Sequence, residues 1–263
     1  MNVKRIVILL LCLLMIVPCR AFDGMKVQPG EELTYEVSYM GIKLGTICIS
    51  TGKLSDCNGS QCYLTEAKIA TYKSIPFVKM NVYYRSYTDK SVNASHRFYG
   101  LYKSKDYIDT HKIFFNYQKR NIYVSKSNKD NMYFEKSFSN PHQKKYADGL
   151  SLFFVARNFL NCGKKITIPT IIDKDTAKTD INFSGEKRGV KASAVKYPVA
   201  TRHFTGIAHW TGVYGLTGFF EGFFSDDEAR IPIRAKLQLY LGSVEVELIK
   251  YTRKGWTPPK YSD

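Results

Sequence analysis

Two adjacent aspartates, Asp226 and Asp227, most invite a catalytic or metal-binding interpretation in this sequence. Adjacent residues of a β-strand point to opposite faces of the sheet, so two such carboxylates act together only where the backbone turns. Ser225 precedes them and Ala229-Arg230 resembles the start of a strand, which favours a hairpin turn. Calcium binding and acid–base catalysis stay open as alternatives.

The histidines form no metal-binding motif of the HExxH type. His203 and His209 would share one face of an unbroken strand and could seat a metal, although a pair facing solvent is favoured. The sequence contains no Gly-x-Ser-x-Gly nucleophile elbow and no phosphate-binding glycine loop. We therefore predict no catalytic residue, no metal and no cofactor, and an enzyme is disfavoured.

The N-terminus has the pattern of a secretory signal peptide. Lys4 and Arg5 precede an apolar run, Ile6–Val17, which is too short to span a bilayer comfortably. Cleavage after Ala21 would remove residues 1–21 and leave a single domain at 22–263. Cys19 allows lipidation as an alternative, but Pro18 stands where a small residue is needed, so soluble export to the periplasm or medium is favoured.

Four cysteines remain in the predicted mature chain, which suits disulfide formation in an oxidising compartment. Cys57 and Cys62 bracket the turn sequence Asn58-Gly59-Ser60, and we predict a disulfide between them. Zinc is the alternative, although no second close Cys or His pair accompanies this one. Cys48 and Cys162 either pair with each other or stay as thiols.

The formal net charge is +16, with 39 basic and 23 acidic residues. Loss of Lys4, Arg5 and Arg20 with the signal peptide leaves a mature charge of +13. Basic residues mixed with tyrosines can bind nucleic acid. Export disfavours that partner and leaves anionic lipid, lipopolysaccharide or acidic glycan as polyanions attracted by this charge. A solvated outer face is the alternative.

Period-two alternation of apolar and polar residues dominates the sequence. In Glu32–Tyr39, for example, the odd-numbered residues are apolar and the even-numbered ones polar, as in a strand with one solvated side. Similar runs follow along the sequence, the last of them at Val244–Thr252. Together they predict about fifteen strands, one of which is Val190–Lys196. A Gly242-Ser243 turn would pair Leu241 with Val244 in the last hairpin.

One segment, Asp148–Leu160, is apolar nearly all round and begins with a capping aspartate. A helix without a broad polar face must be covered on most sides. We therefore predict a mainly β fold, in which a large curved antiparallel sheet, of half-barrel or sandwich type, surrounds one central buried helix. No transmembrane segment is expected after signal cleavage.

Aromatic residues cluster near the C-terminal end of the sequence, where they could line an apolar cleft. Filling the core is the more common role of such residues. The candidate ligand-binding residues are Trp210, Tyr214, Phe219, Phe220, Phe223 and, on the helix, Phe154.

Three segments resemble an uncharacterised family of exported bacterial proteins, domain of unknown function 3108. They are Gly30–Tyr35 with Gly41, Ile42 and Gly45; Asp148–Arg157; and Gly218–Ile233, continuing to Gly242-Ser243. Phe223-Phe224 departs from the family pattern, in which a Trp-type residue is expected. The resemblance implies a strongly curved antiparallel sheet with a helix and brings no catalytic residue.

Together these features predict a periplasmic or cell-envelope carrier for a lipid-like ligand that is apolar or amphipathic and anionic. The alternative is a non-catalytic envelope module that binds a protein or a cell-wall polymer.

Overall fold

The structure is a computed structural model that describes residues 27–262, except positions 58, 77, 78, 105, 106, 130, 161, 162, 213, 214 and 240. The predicted signal peptide, with Cys19, and also Cys162 and Tyr214 lie outside the described residues. Within the described part, no helix is both long and apolar enough to cross a membrane.

Fourteen strands and one helix make up the described part of the fold. The strands are β1 (Glu32–Tyr39), β2 (Ile42–Asp56), β3 (Gln61–Thr71), β4 (Asn81–Asp89), β5 (Ser95–Lys103), β6 (Ile108–Asn116), β7 (Asn121–Asn128), β8 (Asn131–Ser139), β9 (Lys165–Ile172), β10 (Asp175–Val190), β11 (Val199–Ala208), β12 (Gly218–Ser225), β13 (Pro232–Gln238) and β14 (Ser243–Thr252). The helix, α1, spans Ser151–Arg157 between β8 and β9.

All fourteen strands belong to one antiparallel sheet in the order β8-β7-β6-β5-β4-β3-β2-β1-β14-β13-β12-β11-β10-β9. Apart from β8 and β9, which are consecutive in sequence, each strand pairs with its neighbours in sequence, and β1 also pairs with β14 in the middle of the sheet. The edge strands β8 and β9 do not pair with each other in the described structure, so the sheet is not closed. The prediction of a large antiparallel sheet with one helix is confirmed.

The connections alternate between the two ends of the sheet because every pairing is antiparallel. The chain enters and leaves α1 at one end, through the segment between β8 and β9. We call the opposite end the distal end. It carries the loops β1–β2, β3–β4, β5–β6, β7–β8, β9–β10, β11–β12 and β13–β14.

Side chains bridge the gap between the two edges at the distal end. The β9–β10 turn places Asp173 in an ion pair with Lys126 of β7, and Asp175 lies 2.5 Å from Lys136 of β8. Lys174 of the same turn lies over the ring of Phe134, 5.0 Å from its centroid. We call these three contacts the seam.

Asp148 fixes the start of α1. Its Oδ1 accepts hydrogen bonds from the backbone N–H groups of Leu150 and Ser151, and its Oδ2 accepts one from Ser86 Oγ of β4 at 2.5 Å. Burial raises the pKa of this carboxyl, although the bonds from Ser86 and Ser151 oppose the shift. The predicted capping role is therefore observed, and the cap also ties the helix to the sheet.

The helix is shorter than predicted, since it ends at Arg157 and not at Leu160. Arg230 Nη1 donates to the carbonyl oxygens of Arg157 and Asn158 at 2.8 and 3.1 Å. These contacts satisfy carbonyls that the end of a helix leaves without partners. Phe154, in the middle of the helix, is fully buried.

Two details of the predicted strands are wrong. Val190–Lys196 does not form a strand of its own: β10 ends at Val190, and the residues after it form a loop before β11. In the last hairpin, Val244 pairs with Leu237 and not with Leu241, so the connection spans 239–242. The observed partner of Val244 lies four residues before the predicted one. Because four is an even number and side chains alternate between the two faces of a strand, the same side chains stay on the core face.

Candidate functional site

A cavity of about 270 Å³ lies between α1 and the inner face of the sheet. The helix contributes Leu152, Phe153 and Ala156 to its wall. Strands from the middle and the C-terminal half of the sheet contribute most of the rest, including Tyr35, Ile47, Ile49, Ile181, Phe204, Ala208, Phe220, Phe224, Ala235, Leu237 and Val246. The residues that enclose the cavity are therefore mostly aliphatic or aromatic.

Phe204 of β11 is the centre of the aromatic part of the wall. Its ring stacks on that of Phe224 with centroids 4.6 Å apart and contacts Phe220 at 6.3 Å and Phe183 at 6.1 Å. Gly206 leaves room for Phe220, because a Cβ at this position would lie 2.2 Å from the Phe220 ring. The glycine therefore allows a large ring to lie flat across the neighbouring strand.

The polar groups of two aromatic residues beside the cavity have partners within the protein. Tyr35 Oη donates to the carbonyl of Pro232 at 3.1 Å, and burial raises the pKa of this phenol, so it is neutral. Trp210 Nε1 donates to Thr179 Oγ1 at 2.8 Å. These bonds leave the tyrosine and tryptophan rings to act as apolar surface toward the cavity.

Arg234 also borders the cavity, but its guanidinium pairs with Glu247. The strand register places Arg234 on the face opposite Ala235 and Leu237, which line the cavity. Its charge is thus directed away from the apolar wall and balanced by a carboxylate.

The candidate residues chosen from the sequence divide into three groups. Trp210, Phe219 and Phe220 border the cavity. Phe154 lies in the core behind the helix, and Phe223 contacts His203, with ring centroids 5.0 Å apart, away from the cavity. Tyr214 lies outside the described residues.

Several wall residues were missed by the sequence reasoning. Phe204, Tyr35 and Ile47 occupy inner positions of predicted strands. Phe153 is the neighbour of Phe154, the helix residue that was predicted to bind ligand. Strand alternation indicates that such residues are buried. It does not indicate which of them face empty space and which face other side chains.

Asp226 and Asp227 lie in the loop between β12 and β13, and their carboxylates bind different partners. Asp227 Oδ1 accepts from Ser225 Oγ at 2.7 Å, and its Oδ2 accepts from Trp256 Nε1 at 2.7 Å. Asp226 pairs with Arg202 at 2.6 Å and Lys187 at 3.0 Å. Asp227 therefore holds the turn, as the hairpin interpretation predicted, and Asp226 joins the turn to β10 and β11.

The two histidines considered as metal ligands lie apart from each other. His203 is on β11, 3.4 Å from Glu221, whereas His209 follows the end of that strand and lies 3.0 Å from Asp180. Hydrogen bonds from Thr167 and His209 lower the pKa of Asp180 to about 2, so it is ionised. In the described part of the chain, no group of three or more His, Cys, Asp or Glu side chains is arranged to hold a metal ion.

Cys57 and Cys62 are thiols in this structure, both buried, at the turn between β2 and β3. Cys62 is hydrogen-bonded to Cys57, and burial raises the pKa of the Cys62 thiol. The two sulfur atoms are therefore neighbours, and the disulfide stays a prediction.

These observations define a class: an open antiparallel sheet with a helix, α1, that covers an apolar cavity. The chain belongs to the family described as protein of unknown function, DUF3108, which it matches over residues 34–249. No curated protein matches this sequence.

Two solved structures are similar to the chain. A β-barrel-like protein of domain of unknown function DUF1849 from Brucella abortus has a TM-score of 0.57 at 10% identity, covering 84% of this chain and 96% of its own. A protein with a YmcC-like fold from Bacteroides fragilis has a TM-score of 0.36 at 8% identity, covering 86% of this chain and 97% of its own. At such identities the first shows a shared fold alone.

Proposed function

We propose that this protein is a carrier that holds a lipid-like molecule with its hydrocarbon chain in the cavity beneath α1. The observation that carries the proposal is the apolar wall of this 270 Å³ space, formed by the helix and strands from the middle and C-terminal half of the sheet. Binding sites for small molecules are typically concave, mostly apolar and about 300–1,000 Å³ in volume. The cavity lies just below that range.

The chemistry of the wall favours a hydrocarbon chain over a polar ligand. The hydrogen-bonding groups of Tyr35 and Trp210 are already bonded to Pro232 and Thr179. A polar ligand in the cavity would therefore lose its hydrogen bonds to water and gain none from these two residues. An apolar cavity of about 150 Å³ can stay dry and bind a small hydrocarbon. The same reasoning applies to this larger space.

The anionic head group of such a ligand would stay at the mouth of the cavity. Exposed Lys178 lies near this mouth, because its carbonyl accepts a backbone hydrogen bond from His209, beside the wall residue Trp210. Lysine side chains can extend along apolar surface and keep their ammonium groups in water. They are therefore suited to meet a carboxylate or phosphate at this place.

Export is part of the same proposal. A signal peptide at residues 1–21 would leave one domain, 22–263, in the periplasm or medium. There the mature charge would attract lipid or lipopolysaccharide-like molecules with anionic head groups. Amino-terminal sequencing of the protein recovered from the extracytoplasmic fraction tests the cleavage, with Phe22 as the expected first residue.

A second candidate function, the binding of an envelope protein, is supported by the edge strand β8. Most of its residues are exposed, and its outer edge pairs with no other described strand. An exposed edge can add a strand from another chain. Crosslinking in envelope extracts that yields a stoichiometric protein partner without lipid would favour this candidate over the carrier.

The carrier proposal is tested by native mass spectrometry and solvent extraction of the purified protein, followed by titration with a long-chain fatty acid. Ala235→Phe fills the cavity from β13 and should abolish binding. Ala177→Phe makes the same change at a half-buried position of β10 that does not line the cavity, and should bind as the wild type does. Equal binding by the two variants, or no binding by the wild type, would refute the proposal.

A further inference from the structure

The large apolar side chains that are exposed in the described structure all lie at the distal end of the sheet. Met40 and Leu241 are each 78% exposed and Ile42 is 59% exposed, in the β1–β2 and β13–β14 connections. Protein surfaces rarely gather large apolar side chains in one region unless that region binds something. Their common location therefore needs an explanation.

Other exposed apolar residues continue this surface along the distal end. Tyr107 and Ile108 lie at the start of β6, and Met132 and Tyr133 at the start of β8. On the other arm of the sheet, Phe219 lies at the start of β12 and pairs with Ile207 of β11. We call the full set the apolar tips.

The tips nearest the middle of the sheet are held together. Tyr39 Oη donates to the carbonyl of Leu241 at 3.0 Å, and Tyr39 also pairs with Ile42 on one side and Val244 on the other. The β1–β2 and β13–β14 connections are therefore neighbours, and Met40, Ile42 and Leu241 form one patch.

Exposed lysines accompany the apolar tips. The backbone N–H of Lys129 donates to the carbonyl of Ile108, Lys178 contacts the β11–β12 loop, and Lys43, which pairs with Glu36, follows Ile42. Carboxylates are also present, but Asp173 and Asp175 are paired across the seam. Apolar side chains surrounded by lysines are complementary to a bilayer with anionic lipids, where hydrocarbon lies beneath negative head groups.

The cavity reaches the same end of the sheet. Its wall includes the last residue of β11, Ala208, the first two of β12, Gly218 and Phe219, and the last two of β13, Leu237 and Gln238. Phe219 is both a wall residue and an exposed tip, at 46% exposure. The surface of the tips is thus continuous with the cavity.

We infer that the distal end docks on the surface of an anionic lipid bilayer, with the mouth of the cavity facing the membrane. This inference rests on the proposed carrier function and adds the source from which the ligand comes. A hydrocarbon chain could then pass between bilayer and cavity with little exposure to water, which would otherwise oppose its transfer. The occupant of the apolar tips is the bilayer itself.

Sedimentation with vesicles tests the inference, using the full-length gene product in the form that cells process and export. The vesicles are phosphatidylcholine alone or phosphatidylcholine mixed with phosphatidylglycerol. We expect binding to the mixed vesicles that weakens with added salt. Met40→Asn, Ile42→Thr and Leu241→Ser together should lower the partition coefficient about tenfold or more. Asparagine suits the positive φ of Met40.

A charge-matched pair of variants separates docking from general attraction. Lys129→Gln with Lys178→Gln removes two charges at the distal end, and Lys53→Gln with Lys119→Gln removes two exposed charges toward the opposite end. Only the pair at the distal end, Lys129→Gln with Lys178→Gln, should markedly weaken binding to the mixed vesicles. Equal effects of the two pairs, unchanged binding of the apolar variant, or no binding by the wild type would each overturn the inference.

Two further results complete the test. Ala235→Phe should still bind vesicles while it fails to take up fatty acid, so loss of the carrier function and loss of docking are distinguishable. The molecular mass in solution is measured by analytical ultracentrifugation. A wild-type dimer that the apolar variant converts to monomer, without vesicle binding, would identify a second copy of the chain as the occupant and overturn the inference.

Discussion

Arg157 and Glu31, separated by 126 positions in the sequence, form an ion pair in which the two side chains are 0% and 2% exposed. Arg157 Nη1 donates to Glu31 Oε1 at 2.9 Å and Arg157 Nη2 to Glu31 Oε2 at 3.3 Å. Arg157 Nη2 also donates to the carbonyl of Ala229 at 2.7 Å. The end of α1 is thereby joined to the start of β1 and to the loop before β13.

Glu31→Gln should lower the free energy of unfolding by about 3–5 kcal/mol, because it leaves the buried charge of Arg157 without its counter-ion. Glu36→Gln is the matched control. Glu36 pairs with a largely exposed lysine, Lys43, and its loss should cost under about 1 kcal/mol. Urea unfolding at neutral pH measures both, and equal stability of the two variants would contradict the prediction.

The same ion pair predicts a dependence on pH. Burial alone would raise the pKa of Glu31, but Arg157 and Arg253 outweigh it and hold the pKa below its usual value of 4.5. A carboxyl with a lowered pKa contributes stability that is present above its unfolded pKa and is lost as the pH falls through the folded pKa. The wild type should therefore lose stability in acid more steeply than Glu31→Gln.

His111 predicts a second loss of stability at a higher pH. It is buried on β6, its Nε2 has no hydrogen-bond partner among the described residues, and its ring contacts that of Phe98. Burial and the neighbouring charge of Lys126 lower its pKa from 6.5 to about 4, while Asp173 opposes the shift.

Because the folded protein disfavours the protonated ring, the contribution of His111 is complete above pH 6.5 and decreases as the pH falls toward about 4. The wild type should lose up to about 3 kcal/mol across this interval through this residue. His111→Gln should lack that part of the loss, as measured by urea unfolding at a series of pH values. The same pH dependence in both proteins would show that His111 is not the group responsible.

The adjacent thiols of Cys57 and Cys62 predict a disulfide if the protein is exported to an oxidising compartment, as proposed above. Closing this short turn should add about 2 kcal/mol of stability. A reductant should therefore lower the melting temperature of the wild type but not that of Cys57→Ser. Cys48→Ser, at a half-buried cysteine of β2, should respond to the reductant as the wild type does. Free thiols in the native exported protein would refute the disulfide.

The alternation of the sequence predicted the sheet because a strand with one buried face repeats every two residues. It could not fix the register of the last hairpin. Pairing Val244 with either Leu237 or Leu241 leaves the same residues on the core face, so the pattern fits both. The contacts of Tyr39 with the β13–β14 connection belong to the folded structure and are not visible in that pattern.

The site was less predictable than the fold. Aromatic residues of β12 were recognised as candidates, yet Phe220 faces the cavity and Phe223 does not. Whether a buried residue borders a cavity depends on how far the helix lies from the sheet. That distance is set by contacts between distant parts of the chain, such as Ser86 with Asp148 and Glu31 with Arg157.

The seam between the two edges has a mechanical consequence. Strand neighbours elsewhere in the sheet share ladders of backbone hydrogen bonds, whereas the edges meet through the side chains of Lys126, Lys136 and Phe134 with the β9–β10 turn. Exposed ion pairs are individually weak and are screened by salt. The distal part of this line is therefore held less firmly than any strand ladder, and added salt should weaken it further, whereas Ala147 holds the middle of β9 through backbone bonds with Pro169 and Ile171.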